Sequence, residues 1–228
     1  QGITDGQGDL GIPSAPGELT YFDRSRRRFL TLSGLTLAGL LLPNPLWRDS
    51  AAQGASVPVR TDRAMAWALQ DAGVRVVTHV PATGATALFD AYCALAGLVP
   101  HYAFNEELAF TMAHGAALAG VRSAAVLKSH GLAKAANSVI DSLTLGTTAG
   151  FVAVVLDDPE GRHSDNVFAL EDFLRGTGMP FKKAGAGTIY RDLLECILWS
   201  EELGIPVALF VDSNLVSRDT SCERRPLL

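Results

Sequence analysis

The chain has 228 residues, is 48% hydrophobic and 19% charged, and carries a formal net charge of -5. That is enough chain for one domain with a sizeable core. The acidic excess lies beyond residue 60, which argues against a basic nucleic-acid-binding face. Three cysteines, Cys93, Cys196 and Cys222, stand far apart without CxxC pairing, so alone they cannot build an iron–sulfur or zinc site. Cys93 and Cys196 fall in apolar helical stretches and are expected to be buried thiols. Cys222, among charges near the C-terminus, is expected to be exposed. His79, His101 and His114 show no ligand spacing, and no metal site is read.

Residues 1–23 are rich in Gly, Pro and Asp, lack a periodic apolar pattern, and read as an irregular arm. Ser25-Arg26-Arg27-Arg28-Phe29-Leu30 follows, and its arginines, Phe-Leu and uncharged run to Leu42 resemble a twin-arginine translocation signal. From Phe29 to Trp47 about 19 residues at ~1.5 Å each reach ~28 Å, nearly a bilayer core. Trp47 and Arg48 would then sit at the far interface, with Arg24 to Arg28 inside. Residues 24–48 are thus expected to be a signal or membrane anchor, and 49–61 a linker. Cleavage after small residues at Ser50-Ala51-Ala52 is the open alternative. A core helix with a basic flank is another, although no polar face exists between Leu30 and Leu42.

The body begins near residue 62. "VRVVTHV" (74–80) predicts a short strand. "HYAFNEELAFTMAHGAALAG" (101–120) predicts a strand that becomes an Ala-rich helix. "SAAVLKS" (123–129) predicts a strand, and "LAKAANSVIDSLTLG" (132–146) a helix stopped by Gly146. "FVAVVLDD" (151–158) is a continuous apolar run of the kind buried on both faces. "VFALEDFLRGTG" (167–178) and "TIYRDLLECILWSEELG" (188–204) are helical, and "PVALFVDS" (206–213) is another buried strand. The alternation predicts an α/β fold, a doubly wound, mostly parallel sheet with helices on both faces. Such folds bind ligands at the carboxyl ends of their strands. No internal repeat is visible, and residues 219–228 read as a tail.

Four stretches occur in this order: "VPATGATALFDAY" (80–92), "NEELAFTMAHGAALAG" (105–120), "LKSHGLAKAANSV" (127–139) and "VVLDDPEGRHSDN" (154–166). Together they resemble the pyrimidine-binding (Pyr) domain of thiamine-diphosphate enzymes over residues 62–218. The nearest look-alikes are the N-terminal part of indolepyruvate:ferredoxin oxidoreductase and the α subunit of sulfopyruvate or phosphonopyruvate decarboxylases. The resemblance implies a glutamate that bonds the cofactor's aminopyrimidine ring and so favours the tautomer that generates the ylid. Glu106 matches it, with Glu107 one residue away as an ambiguity. Ser129, His130 and a turn at Gly131 would lie beside the cofactor ring, and the loop from Pro81 to Gly84 on the substrate side. Plainer roles stand beside these. Glu106 would also favour a helix N-terminus by ~0.3–1 kcal/mol. His130 would serve as a hydrogen-bonded turn residue, and Gly131 would supply positive φ. "DDPEGRHSDN" would be an ordinary polar loop after a strand, with Asp157 and Asp158 capping the next element.

A second domain normally holds the diphosphate through a magnesium ion, with a GDG-type motif and a later Asn. No such motif is present here. The chain is therefore expected to hold no cofactor alone, and to bind thiamine diphosphate with magnesium only beside a β partner. Two functions follow. The favoured expectation is a membrane-anchored, non-catalytic accessory subunit of a larger membrane complex, respiratory or photosynthetic, with its body on the periplasmic side and other protein subunits as partners. The alternative is the α subunit of a split thiamine-diphosphate-dependent 2-oxoacid decarboxylase or oxidoreductase. A periplasmic ligand-binding domain is a third reading.

Overall fold

The computed structural model describes residues 56–165 and 167–227. Arg26, Arg27, Phe29, Leu30 and Trp47, and with them the arm, export signal and anchor, lie outside the described residues. No helix among the described residues is long and apolar enough to cross a membrane.

The elements run β1 (Val57–Arg60), α1 (Thr61–Asp71), β2 (Val76–His79), α2 (Ala85–Ala96), α3 (Glu106–Leu118), β3 (Ser123–Lys128), α4 (Ser129–Lys134), α5 (Ala136–Leu145), β4 (Phe151–Asp157), α6 (Leu170–Thr177), β5 (Phe181–Lys183), α7 (Ile189–Leu203), β6 (Val207–Asp212), α8 (Ser213–Val216) and β7 (Asp219–Cys222). Five strands form one parallel sheet in the order β2-β3-β4-β6-β5. Side chains alternate across each strand. Ala125, Leu127, Ala153, Val155, Ala208 and Phe210 face one layer with Phe110 of α3, Val139 of α5 and Leu174 of α6. Their sequence neighbours Val126, Val154, Leu156 and Leu209 are equally buried, on the face covered by α1, α2 and α7. Burial on both faces is why β4 reads as an unbroken apolar run. The doubly wound α/β architecture is as expected.

The chain passes from α2 on one face to α3 on the other around the edge of β2. Residues 97–105 make this crossing without forming a strand, so the strand expected at the start of 101–120 is corrected. Its backbone tie to β2 is Ala103 N–H donating to the His79 carbonyl at 2.8 Å. Residues 57–60 and 219–222, read as parts of linker and tail, pair antiparallel as β1 and β7. Cys222 sits in that pair opposite Val57 and is buried, not exposed as expected. Burial pushes its thiol up to about 11. Cys93 and Cys196 are buried as predicted, and burial raises both thiols.

His79 closes β2 and is fully buried. Its Nδ1–H donates to the Val126 carbonyl at 2.9 Å, and its Nε2 lies 3.1 Å from Thr86 Oγ1. Thr86 Oγ1 in turn accepts from Ala82 N–H at 3.1 Å. The loop after β2 is thereby tied to the sheet. Burial lowers the His79 pKa below its ordinary value near 6.5, against smaller opposing effects of the Val126 carbonyl and Asp90. The unfolded chain therefore binds the proton first. Stability from neutral His79 is complete above about 6.5 and lost as pH falls toward and through the folded value. The denaturation midpoint is expected to drop between pH 7.5 and pH 5, and His79→Gln to flatten that slope in urea titrations at each pH.

Candidate functional site

All carboxyl ends of the parallel strands open on one rim, where α3 and α4 also begin. Asn105 caps α3 by accepting the Leu108 N–H at 2.8 Å. That cap places Glu106 and Glu107 in the first turn, where their charge opposes the positive end of the helix dipole. The two glutamates then diverge. Glu107 is exposed, and its Oε1 accepts from Ser138 Oγ at 3.3 Å. Glu106 is half-buried, turns toward α4, and pairs through Oε2 with Lys134 Nζ at 3.1 Å.

Glu106 rests on Gly131. A Cβ at residue 131 would come within 2.7 Å of Glu106 Cγ, closer than such atoms can approach. The expected turn at Ser129–Gly131 is therefore corrected. Lys128 ends β3 in extended backbone, the chain enters α4 directly, and Gly131 is helical without positive φ. Glycine is needed there for close approach instead. Ser129 is buried at the start of α4. His130 packs edge-on to Phe168 at 5.2 Å. Both of its ring nitrogens are enclosed and have no hydrogen-bond partner among the described residues. A hydrogen-bonded turn role for His130 is thus not what the geometry shows.

The loop from Pro81 to Gly84 leans across the rim toward β6. Gly84 has φ +76°, and a Cβ there would meet Ser213 at 3.4 Å and Val216 at 3.5 Å. Beyond it lies an open cavity of about 490 Å³. Thr83, Gly84 and Ala87 form one wall, and Ser213, Asn214, Val216 and Ser217 another. Arg60, Arg218, Arg162 and His163 complete it. Asp158 organises the loop that carries the last two. Its carboxylate accepts from Arg162 N–H at 3.1 Å, His163 N–H at 2.7 Å and Ser164 Oγ at 2.7 Å. The Ser164 bond, then the two backbone bonds, hold Asp158 below the usual carboxylate range. The polar loop expected after β4 is present, but Asp158 bonds within the loop and neither it nor Asp157 caps the next helix, whose N-terminus at Ala169 has no side-chain cap.

Sequence reading placed Pro81, Gly84, Glu106, Ser129, His130 and Gly131 on this rim. The fold seats Glu106 on α4 and leaves Pro81 and Gly84 on the neighbouring loop. Missed were Lys134 against Glu106, the His79–Thr86 support, and the arginines of the cavity. Arg60 and Arg218 lie at opposite ends of the body, so no local pattern could join them. Among the described residues no group of three or more His, Cys, Asp and Glu side chains is arranged to hold a metal ion.

No protein-family model matches the chain. It is 31% identical over 174 residues to the indolepyruvate oxidoreductase subunit IorA of Archaeoglobus fulgidus, covering 73% of this chain and 28% of that protein. The Thermococcus kodakarensis protein of the same name is 34% identical over 116 residues, 50% of this chain and 18% of the relative. The chain thus spans about a quarter or less of the length of these curated relatives. Among solved structures, the 2-oxoglutarate:ferredoxin oxidoreductase of Magnetococcus marinus superposes with a TM-score of 0.62 at 17% identity, over 85% of this chain and 36% of that one. The thiamine diphosphate-dependent 4-hydroxybenzoylformate decarboxylase of Rhodococcus jostii RHA1 gives 0.57 at 12% identity, over 71% and 32%. The body is Pyr-domain-like in fold.

These likenesses correct two expectations. A non-catalytic accessory subunit of a respiratory or photosynthetic membrane complex does not stand, because the relatives are named as oxidoreductase subunits. Membrane-anchored, periplasmic placement does not stand either. It rested on residues 29–47, outside the described residues, while no described helix can span a bilayer and the relatives are oxidoreductase subunits.

Proposed function

We propose that the chain is the pyrimidine-binding part of a thiamine-diphosphate-dependent 2-oxoacid oxidoreductase, completed by a partner that holds the diphosphate and its magnesium ion. One observation carries this reading. Glu106 is seated against Gly131 beside His130, whose two ring nitrogens are enclosed and unpartnered. Leaving such a group unsatisfied costs about 1–3 kcal/mol, and an arriving polar ligand removes that cost. A carboxylate, a cradle too tight for a side chain and an orphaned imidazole fit an aminopyrimidine.

When bound, the cofactor supplies an electron sink for 2-oxoacid chemistry. Glu106 would hold or accept a proton at a ring nitrogen. Lys134 engages Oε2, so Oε1 is the oxygen left for that exchange. Gly131 keeps the carboxylate against α4, and His130 would offer one of its ring nitrogens to the bound group. The loop from Pro81 to Gly84 would border the substrate. A partner surface also lies close at hand. Phe104 is 91% exposed and Val99 74%, with Leu98, Leu108 and Met112 also exposed on the crossing segment and α3. Apolar exposure of this extent marks an interaction site.

The test is purification of the native assembly through a tag on this chain. Thiamine diphosphate bound in proportion to the chain, with 2-oxoacid-dependent reduction of a viologen dye, is the expected result. An assembly that neither retains nor responds to the cofactor overturns the reading. Gly131→Ala probes the cradle. Alanine favours a helix over glycine by about 1 kcal/mol, and the clash with Glu106 costs about as much or somewhat more, so thermal stability should hold or fall slightly. The displaced Glu106 should weaken cofactor affinity at least about tenfold, as measured by titration of the apo-assembly.

A further inference from the structure

The loop from Pro81 to Gly84 is held by a side-chain hydroxyl that has more acceptors in reach than protons to give. α2 begins after Gly84 without a side-chain cap, and Thr86 gathers the loop's backbone instead. Thr86 Oγ1 accepts the Ala82 N–H at 3.1 Å and lies 3.0 Å from the Ala82 carbonyl. It also lies 3.1 Å from His79 Nε2. A hydroxyl has a single proton, so Nε2 and the Ala82 carbonyl compete for it. His79 decides which is served. Its Nδ1–H is fixed on the carbonyl of Val126, its register partner on β3, so only Nε2 changes state. When Nε2 is bare it takes the Thr86 proton, and the Ala82 carbonyl keeps only the Thr86 backbone N–H at 3.1 Å. When Nε2 carries a proton it donates to Oγ1, and the hydroxyl proton turns to the Ala82 carbonyl. Both states leave these donors partnered. The protonated state adds a bond to the loop and a charge-assisted tie to β2.

The fully buried ring is enclosed by Phe89 at 5.0 Å and, edge-on, by Tyr102 at 5.9 Å. α2 presents Thr86 and Asp90 to it, β3 the Val126 carbonyl, and the crossing segment Tyr102. The Tyr102 hydroxyl donates to Asp90 at 3.4 Å and stays protonated, its pKa raised by partial desolvation and then by Asp90. Cys93, one turn beyond Asp90, is held as a neutral thiol by burial. Burial opposes the His79 proton more strongly than Asp90 favours it, so the change of state falls below the ordinary 6.5. We infer that His79 and Thr86 are positioning residues for the substrate-side loop: the proton state of His79 aims the Thr86 hydroxyl and so sets how firmly Ala82 is held. That the loop borders substrate rests on the proposed function, whereas the hydroxyl switch does not.

The first test needs only the full chain. Hydrogen exchange at the Ala82 amide is followed by NMR together with the His79 ring nitrogen shifts. Protection of that amide should rise about threefold or more as Nε2 gains its proton, the scale of one modest hydrogen bond. Thr86→Val, close in shape, should abolish that dependence, and Thr86→Ser should restore it. His79→Gln should leave protection flat with pH. Protection that does not follow the His79 titration in the parent, or that still follows it in Thr86→Val, overturns the inference. The second test uses the native assembly and viologen reduction with pyruvate, 2-oxoglutarate or indolepyruvate, whichever it turns over fastest. Thr86→Val should raise KM about fivefold or more with kcat within about twofold, and Thr86→Ser should recover the parent KM. An unchanged KM, or a loss confined to kcat, overturns the positioning role. An assembly without turnover counts against the broader reading alone, and the exchange result then decides the switch.

Discussion

Glutamine in place of Glu106 is expected to lower the turnover of the native assembly by about 10²–10⁴-fold at saturating thiamine diphosphate. That range is what a positioned proton-transfer group ordinarily contributes. The substitution keeps the shape that packs on Gly131 and removes only the charge and the titratable oxygen. The Lys134 partner is mostly solvent-exposed, and surface ion pairs contribute about 0–1 kcal/mol. The melting temperature should therefore shift little, which separates a chemical loss from a folding loss. Glu107→Gln is the paired control. Glu107 faces Ser138 and solvent, so its variant should retain activity within a few-fold. Equal loss in both variants, or full activity in Glu106→Gln, overturns the assignment of the proton-transfer role.

The one-residue ambiguity between these glutamates illustrates what sequence can and cannot carry. "NEE" announces a capped helix start, and the structure has one. The cap fixes which turn the acids occupy, but not which of them faces α4. That depends on how far α4 approaches, and the approach is set by a glycine 25 positions or so away along the chain. The same reasoning explains the Gly131 correction. Glycine signals either positive φ or crowding, and only packing separates the two. The buried strands were legible because burial on both faces leaves an apolar run with no period. β1, β5 and β7 were not, being short, and β1 and β7 stabilise each other only through pairing across nearly the whole body. Cys222 shows the consequence. Its charged neighbours suggest exposure, yet its own side chain points inward from a strand that local composition does not reveal. The cationic cavity is the furthest from sequence, because its walls come from segments separated by more than half the body.

The C-terminal segment is held by a cluster of the same long-range kind, and removing its centre should be the largest purely structural loss. Asp71, at the end of α1, is buried. Arg224 Nε donates to Asp71 Oδ2 at 2.8 Å, and Arg224 Nη2 donates to Oδ1. Tyr190 of α7 donates its hydroxyl to Oδ2 at 2.7 Å, and that hydroxyl accepts the Arg225 N–H at 2.7 Å. Burial, with Asp71 beside it, pushes the Tyr190 hydroxyl well above its ordinary value, so it remains a donor throughout the neutral range. Arg224 also lies over the Trp67 ring at 5.3 Å. Removing one partner of a buried ion pair costs about 3–5 kcal/mol. Arg224 is 42% exposed and would partly rehydrate, so Asp71→Ala is expected to cost less, about 2–3 kcal/mol in urea denaturation. Tyr190→Phe should cost about 1 kcal/mol, the usual worth of one hydrogen bond. Because both groups share one carboxylate, the double variant should lose less than the sum. Additive losses would show that the two groups act independently, and an Asp71→Ala variant as stable as the parent would show that the tail is held by β1–β7 pairing alone. In that case limited proteolysis should cut after Arg224 equally fast in variant and parent.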